Sequence, residues 1–478
     1  MRSLLVPDLA LLGAALTFFY ALLLFDAPRR LFRDSDAGWH IRTGERIVDE
    51  RALPRTDPYS FSRPGAPWFA WEWGSDVLMG TAHRIAGLRG VVLLYLTAIA
   101  ACTWLWFRLH WALDGDFLLA CAMASPMLST VNMHWLARPH VLGWVLLLAW
   151  LVYAVRPHGR FSGWDAAVVA GLSLVWTNLH ASFFLLPATA VLFAIGKRSQ
   201  WFAAAALVAS AATLVNPYGW TLHRHVYQYL RSGELLAQVG EFQTFNFQAE
   251  GAAQIIITVA LGAAGATLAA VKRQWSGALV LALFFVLALR SARALPVLAL
   301  VLPFANGAIT AWLRENKELE RVLAYSANLR RLEYGFRGYA WTPVILLAGL
   351  LVLRGSAAGF PADEFPVAAA AHLPEQARLF APDKFGGYLI YHFRGERKVF
   401  FDGRSDFYGL PFMKRYVDMV QLRPGWLEEW NRWRFTHALV PVRYSLVDAL
   451  PRLGWRETYR DSTAVLLAAP PALQEGTP

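Results

Sequence analysis

Charge is scarce in this chain, at 17% of 478 residues, where a soluble globular domain carries about 25%. With 56% hydrophobic residues and a mean hydropathy of +0.35, the shortage excludes an ordinary soluble globule. Cysteine is scarcer still. Cys102 and Cys121 both fall in apolar stretches, which excludes a disulfide framework and a cysteine-based metal cluster. No fixed-period repeat occurs, so solenoids and propellers are excluded. Stretches 166–175, 252–270, 278–289 and 297–313 hold no ionisable residue. Ion-coupled transporters usually carry charges near mid-membrane, so this gap argues against one.

Long apolar runs are abundant instead, and they point to lipid as the solvent. Spans are expected at 8–26, 88–110, 116–133, 139–156, 164–178, 182–196, 200–216, 252–271, 275–290, 294–312 and 340–354. That makes an all-α polytopic domain of about eleven transmembrane helices. The first span lacks a small-residue cleavage site after it and reads as retained. The 21 tryptophans suit interfacial anchoring. The net charge of +11 reads as loop Lys and Arg that set topology and attract anionic lipid, with no nucleic-acid partner.

With the N-terminus cytoplasmic, the cytoplasmic connections carry Arg156, Arg160, Lys197, Arg198, Lys272 and Arg273, then the basic stretch Arg314–Arg337. That follows the positive-inside rule. The acidic turn with Asp114 and Asp116 and the Arg-rich first outer loop run against it, but the rule weakens for loops as long as the latter. The outer side then holds the first loop 27–87, loop 217–250, several short caps and the C-terminal region 355–478. Two regions follow: a membrane domain over 1–354 and a small C-terminal α/β domain over 355–478.

In the first loop, Ala37, Ile41, Gly44 and Val48 share one helical stripe, and Trp73, Val77, Leu78 and Ile85 share another. Both fit helices lying on a membrane surface. In the C-terminal region, strands are expected at 398–402, 437–442, 455–459 and 463–468, with helices near 411–421, 426–433 and 443–453.

The richest stretch for chemistry is "RDSDAGWHIRTGERI", just after the first span. Asp34 and Asp36 stand at the mouth of the membrane domain, with His40 and Arg42 close behind. A carboxylate there suits a general base towards a hydroxyl, or, with its neighbour, a hard-oxygen site for a divalent cation such as Mg or Mn. Asp36 is equally placed to cap the helix that follows. Polar residues recur at other outer caps: Glu72 and Asp76; His134, Arg138 and His140; Asn178 and His180; Asn216 and Tyr218; His223 and His225; Arg290 and Arg293. Each alone commonly anchors at an interface; together they gather on one side. "FFDGRSDFYG" adds Asp402, Arg404 and Asp406, either a locally bonded turn or an acceptor-recognition surface.

At "FRDSDAGWHIRTGERIV" the chain resembles the C-type (GT-C) glycosyltransferase superfamily, polytopic enzymes that take sugars from polyprenyl-phosphate carriers. "ARPHVLGW", "WTNLHASFF", "LVNPYGWTLH" and "FGGYLIYHFRGERKVFFDGRSDFYG" resemble uncharacterised bacterial members. The chain has no sequon-reading WWD motif, and its cap "NMHWLARPH" lacks an acidic pair. The resemblance implies an inverting enzyme of the bacterial inner membrane with its C-terminal domain periplasmic. It implies transfer from a polyprenyl-phosphate sugar to an extracytoplasmic acceptor: a glycolipid, polysaccharide or protein. Asp36 would be the base, Asp34 a second carboxylate, and His40 a positioning group. Arg138, Arg290, Arg293 and His180 would meet the donor phosphate. Arg42, Glu72, Asp76, His134, His140, Asn178, Asn216 and Tyr218 would support acceptor binding. Two other readings use the same features: a flippase for lipid-linked sugars, and a non-catalytic envelope-polysaccharide assembly protein.

Overall fold

The computed structural model of the chain describes residues 2–471. It is mostly helical, with one small sheet near the C-terminus. The first apolar helix, Leu9–Phe19, is capped by Asp8, whose side chain accepts from the Leu11 amide. It runs into a π-turn at Tyr20–Leu24, and Asp26, at φ 58°, then turns the chain out of the helix direction. Helix Asp36–Glu50 follows within ten residues, so the first-loop carboxylates sit directly at the end of the first apolar helix.

Helix Trp73–Ala112 runs for 40 residues but breaks at Ala86 and Gly87, where Gly87 adopts φ 59°. The break separates the amphipathic stretch expected at 72–86 from the apolar one expected at 88–110. Helices 36–50 and 73–86 cross with their backbones touching. A Cβ on Gly44 would stand 1.7 Å from the Asp76 carbonyl oxygen, and one on Gly80 would stand 2.4 Å from the Glu45 amide. Of the first stripe, Ala37, Ile41 and Gly44 are buried against protein, while Val48 is exposed. The second stripe faces the other way. Leu78 and Ile85 are exposed, whereas Ser75, Asp76, Met79 and Gly80 face inward. An outward apolar face beside an inward polar one fits a helix lying against lipid.

Helices Trp73–Ala112 and Ala253–Val271 are long and apolar enough to cross a membrane. A third crossing is reached if Ala292–Leu300 and Leu302–Leu313, bent by 48°, form one span. Seven further apolar helices have 10–17 residues, and Gly163–Leu179 has 17. The apolar helices carry exposed leucines such as Leu16, Leu24 and Leu207, a surface that water does not favour and lipid does.

The C-terminal sheet has four strands in the order β1-β2-β4-β3: β1 Leu379–Phe380, β2 His437–Pro441, β3 Arg456–Arg460 and β4 Ala464–Ala468. β1 pairs parallel to β2, and the other pairs are antiparallel, with His437 opposite Ala468 and Arg460 opposite Val465. β2, β3 and β4 stand where the alternation puts them. The expected strand at 398–402 does not join the sheet. Its amide and carbonyl at Val399 pair instead with the first loop, through the Tyr59 carbonyl at 2.9 Å and the Phe61 amide at 3.0 Å. Phe400 and Phe401 are buried among Phe380, Phe412 and Tyr416, so they read as a core strand without being one. The helix expected over 443–453 divides into turns at Leu446–Ala449 and Pro451–Leu453, because Pro451 has no amide to continue it.

The C-terminal region therefore docks on the first loop. Helix Asp383–His392 packs against Asp36–Glu50, and a Cβ on Gly38 would stand 2.3 Å from the Gly387 carbonyl oxygen.

Candidate active site

Arg138 organises the site. It precedes Pro139, which biases it to extended backbone, and it sits at φ −137° and ψ 152°. The Ala137 amide donates to the Leu31 carbonyl at 2.8 Å, pinning this cap to the end of the first apolar segment. The guanidinium then meets three carboxylates. Nη1 donates to Asp34 Oδ2 and to Glu241 Oε1, each at 2.8 Å, and Nη2 pairs with Asp36 Oδ2 at 2.8 Å. Glu241, on the turn Gly240–Phe242, also pairs with Arg293 at 3.4 Å.

Asp36 does not cap its helix. It is the first helical residue, Ser35 stands at the cap without a side-chain bond, and Asp34 Oδ1 accepts from the Asp36 amide at 2.9 Å. Asp34 takes the capping task because its side chain reaches back over the open amide, which leaves Asp36 Oδ2 to pair with Arg138. A helix N-terminus favours a carboxylate there. Gly403 covers Asp36 from the C-terminal region, and a Cβ at 403 would stand 2.0 Å from Asp36 Oδ1.

Burial pushes the Asp36 carboxyl up to about 7; Arg138 opposes this, while Asp34 and Glu241 reinforce it. Burial also pushes on Glu241, but Arg138 and Arg293 outweigh it and hold that carboxyl well below its ordinary value. Arg138 loses some basicity to burial and regains more from Asp34, Asp36 and Glu241, so it stays charged.

A second cluster lies along the inner face of the two crossing helices. His40 Nδ1 and Asp76 Oδ1 are hydrogen-bonded at 2.5 Å. His40 Nε2 is 3.9 Å from Glu72 Oε2, and Glu72 Oε1 is 3.5 Å from His180 Nε2. His180 Nδ1 meets Ser182 Oγ at 2.6 Å. His140 donates from Nε2 to the His134 carbonyl at 2.9 Å, and its ring lies 6.4 Å from that of His180. Four segments that share no contiguous motif thereby form one buried polar network.

Other expected site residues lie elsewhere. Arg42 turns away, donating to the Tyr391 carbonyl at 2.8 Å and 3.0 Å and to Glu45 at 2.5 Å, so it ties the surface helix to the C-terminal region. Six residues beyond Asp36, more than one and a half turns on, it leaves the helix on a different face. Arg290 is exposed at the end of helix Trp275–Arg290 and takes no part in the cluster's ion pairs. Asn178 accepts from Trp73 Nε1 and donates to the Leu174 and Val215 carbonyls. Asn216 closes its own turn, and the Tyr218 hydroxyl donates to the Ala70 carbonyl. These three hold caps together.

The turn with Asp402 and Arg404 is no acceptor surface. Both residues are buried, and Arg404 bridges Asp402 to Asp57 of the first loop. Asp406 pairs with His225 at 3.1 Å. Trp68 and Phe407, each 4.8 Å from the Arg404 guanidinium, enclose it.

Glu241 and Gly403 escaped the sequence reading. Glu241 sits in a polar loop with no motif around it, and its only signal was that loop's assignment to the same side. Among the described residues, no group of three or more His, Cys, Asp or Glu side chains is arranged to hold a metal ion. Where Asp34, Asp36 and Glu241 converge, the Arg138 guanidinium occupies the cation position. Compared with known proteins, the chain matches no family model and no curated protein.

Proposed function

We propose that the chain is an integral membrane glycosyltransferase of the GT-C type, moving a sugar from a polyprenyl-phosphate donor to an extracytoplasmic acceptor. In this reading about eleven helices span or enter the membrane, the N-terminus is cytoplasmic, and residues 355–478 lie on the outer side. The observation that carries the reading is Asp36: a buried carboxylate at a helix N-terminus, soon after the first apolar helix and its π-turn end at Leu24, with its pKa raised to about 7. A general base works best with a pKa near the operating pH.

Asp36 takes the proton of the acceptor hydroxyl as that oxygen forms its bond to the anomeric carbon. The bond from that carbon to the phosphate oxygen breaks, the polyprenyl phosphate leaves with the electron pair, and the configuration inverts. Arg138 is already shared by three carboxylates, so it orients the base rather than binding phosphate on its own. Arg293 is more open, with 28% of its side chain exposed and one long pair to Glu241, and it suits the phosphate better. Asp34 and Glu241 are the half-open carboxylates, and their side gives approach to Asp36.

The test is release of polyprenyl phosphate from a panel of synthetic polyprenyl-phosphate sugars in proteoliposomes. Asp36→Asn should lower the rate by about 100-fold or more with folding intact. A variant that keeps full turnover would overturn the assignment. A variant that still translocates the lipid, in a protein showing no sugar transfer, would favour a flippase.

A further inference from the structure

We propose that Glu72 is a second acid–base centre of this protein: a buried proton-binding carboxyl held between His40 and His180, with Asp76 as the terminal acceptor of the relay. The claim does not depend on Asp36 acting as a glycosyl-transfer base.

The tautomers follow from the hydrogen bonds. The Trp176 indole donates to Ser182 Oγ at 3.1 Å, leaving the Ser182 hydroxyl proton free to point at His180 Nδ1. The Ser182 amide also donates to that nitrogen, at 3.2 Å. His180 Nδ1 is therefore an acceptor, and in the neutral ring the proton sits on Nε2, facing Glu72 Oε1 at 3.5 Å. On the other side, His40 Nδ1 and Asp76 Oδ1 share one proton at 2.5 Å, and burial, with Glu72 beside it, raises Asp76 well above the ordinary carboxylate range. When that proton is on His40, its Nε2 is an acceptor, fully buried and without a hydrogen-bond partner, facing Glu72 Oε2 at 3.9 Å; when it is on Asp76, Nε2 carries the ring proton toward the same oxygen. Asp76 Oδ2 is likewise buried and unpartnered.

Glu72 thus faces the His180 Nε2 proton with one oxygen and the unpartnered His40 Nε2 with the other. A proton on Oε2 can pass to His40 Nε2 once the gap closes, while the Nδ1 proton moves to Asp76; protons and charge balance with no other reactant. Burial keeps both histidines neutral by lowering their proton affinity, and it raises Glu72 to about 7. Arg138 and Arg293 pull Glu72 down, and Asp406 pushes it up. His140 faces His180 from the neighbouring helix. His40 lies one helical turn from Asp36, so the relay begins beside the other titrating carboxyl.

The test is infrared difference spectroscopy of the full chain in lipid, stepping the pH across neutrality without substrate. One carboxylic-acid C=O band should disappear as the pH rises, and isotope-labelled glutamate should shift that band, which separates it from Asp36. Glu72→Gln should remove the band, and Asp36→Asn should keep it. Asp76→Asn should shift its midpoint by about 0.5 unit or more, because the relay loses the group that shares a proton with His40. His180→Ala should raise it, because a donor to the carboxylate is lost. Absence of any glutamate band in the labelled wild-type protein overturns the proposal whether or not the variants fold. A band unmoved by both relay variants overturns it equally. Neither result bears on whether the protein transfers sugar.

Discussion

Removing the Arg404 side chain should be the most damaging single change outside the helices. Arg404 Nε and Nη2 each donate to Asp402 at 2.7 Å, and Nη2 pairs with Asp57 at 2.9 Å. Both carboxylate side chains are fully buried. Arg404→Ala leaves two carboxylates in a dry site with no counter-ion, and breaking a buried pair of this kind costs about 3–5 kcal/mol. Loss of the guanidinium from between Trp68 and Phe407 adds to that. Total stabilities of about 5–15 kcal/mol make such a loss decisive. Arg404→Lys keeps the charge but not the fork, so it should fall between wild type and Ala. Because Gly403 lies against Asp36, any turnover should fall with stability. The assay is the rate of thermal unfolding in detergent followed by tryptophan fluorescence, with Arg432→Ala as control, since 73% of the Arg432 side chain is exposed. An Arg404→Ala rate no faster than that of Arg432→Ala would refute the clasp.

Gly403→Val should impair function more than stability, because its side chain would drive into the Asp36 carboxylate; turnover and melting of the same preparation read the two separately. Gly44→Val should destabilise by about 3 kcal/mol or more, since two backbones touch there; unfolding rates check it. Asp36 and Glu72 have folded-state proton affinities above their unfolded values, so their stabilising contribution is full in acid and is lost as the pH rises through about 7. Unfolding should therefore accelerate from mildly acidic to neutral pH, and Asp36→Asn should flatten part of that slope. Glu241, shifted the other way, loses its contribution only as the pH falls below the ordinary carboxylate range, outside this window.

Much of the first loop was legible. The 3.6-residue stripe in 37–50 located a real helix, and Asp36 stands at its first turn. Periodicity could not say which face would be inward in 73–86, because the inward face there is polar and small and serves the Glu72–His40–Asp76 network. The same limit hid the role of 398–402. Val399, Phe400 and Phe401 are apolar for the sake of a core, and hydrophobicity alone does not distinguish a buried extended segment from a ladder strand. Asp36 and Asp34 were read as base and partner, but the capping task belongs to Asp34, a matter of side-chain reach that residue type does not fix. Arg42 and Arg290 were grouped with Arg138 and Arg293 by side of the membrane, and side alone does not set direction. Glu241 is more than a hundred residues from Arg138 in sequence; only folding brings the two together.

A density map of the protein in lipid with bound polyprenyl phosphate tests the central claim most directly. The result expected is a phosphate within reach of Arg293, on the half-open side of Asp36, with the tail running along the apolar helices. A phosphate bound far from Asp36, at the other ends of those helices, would contradict it.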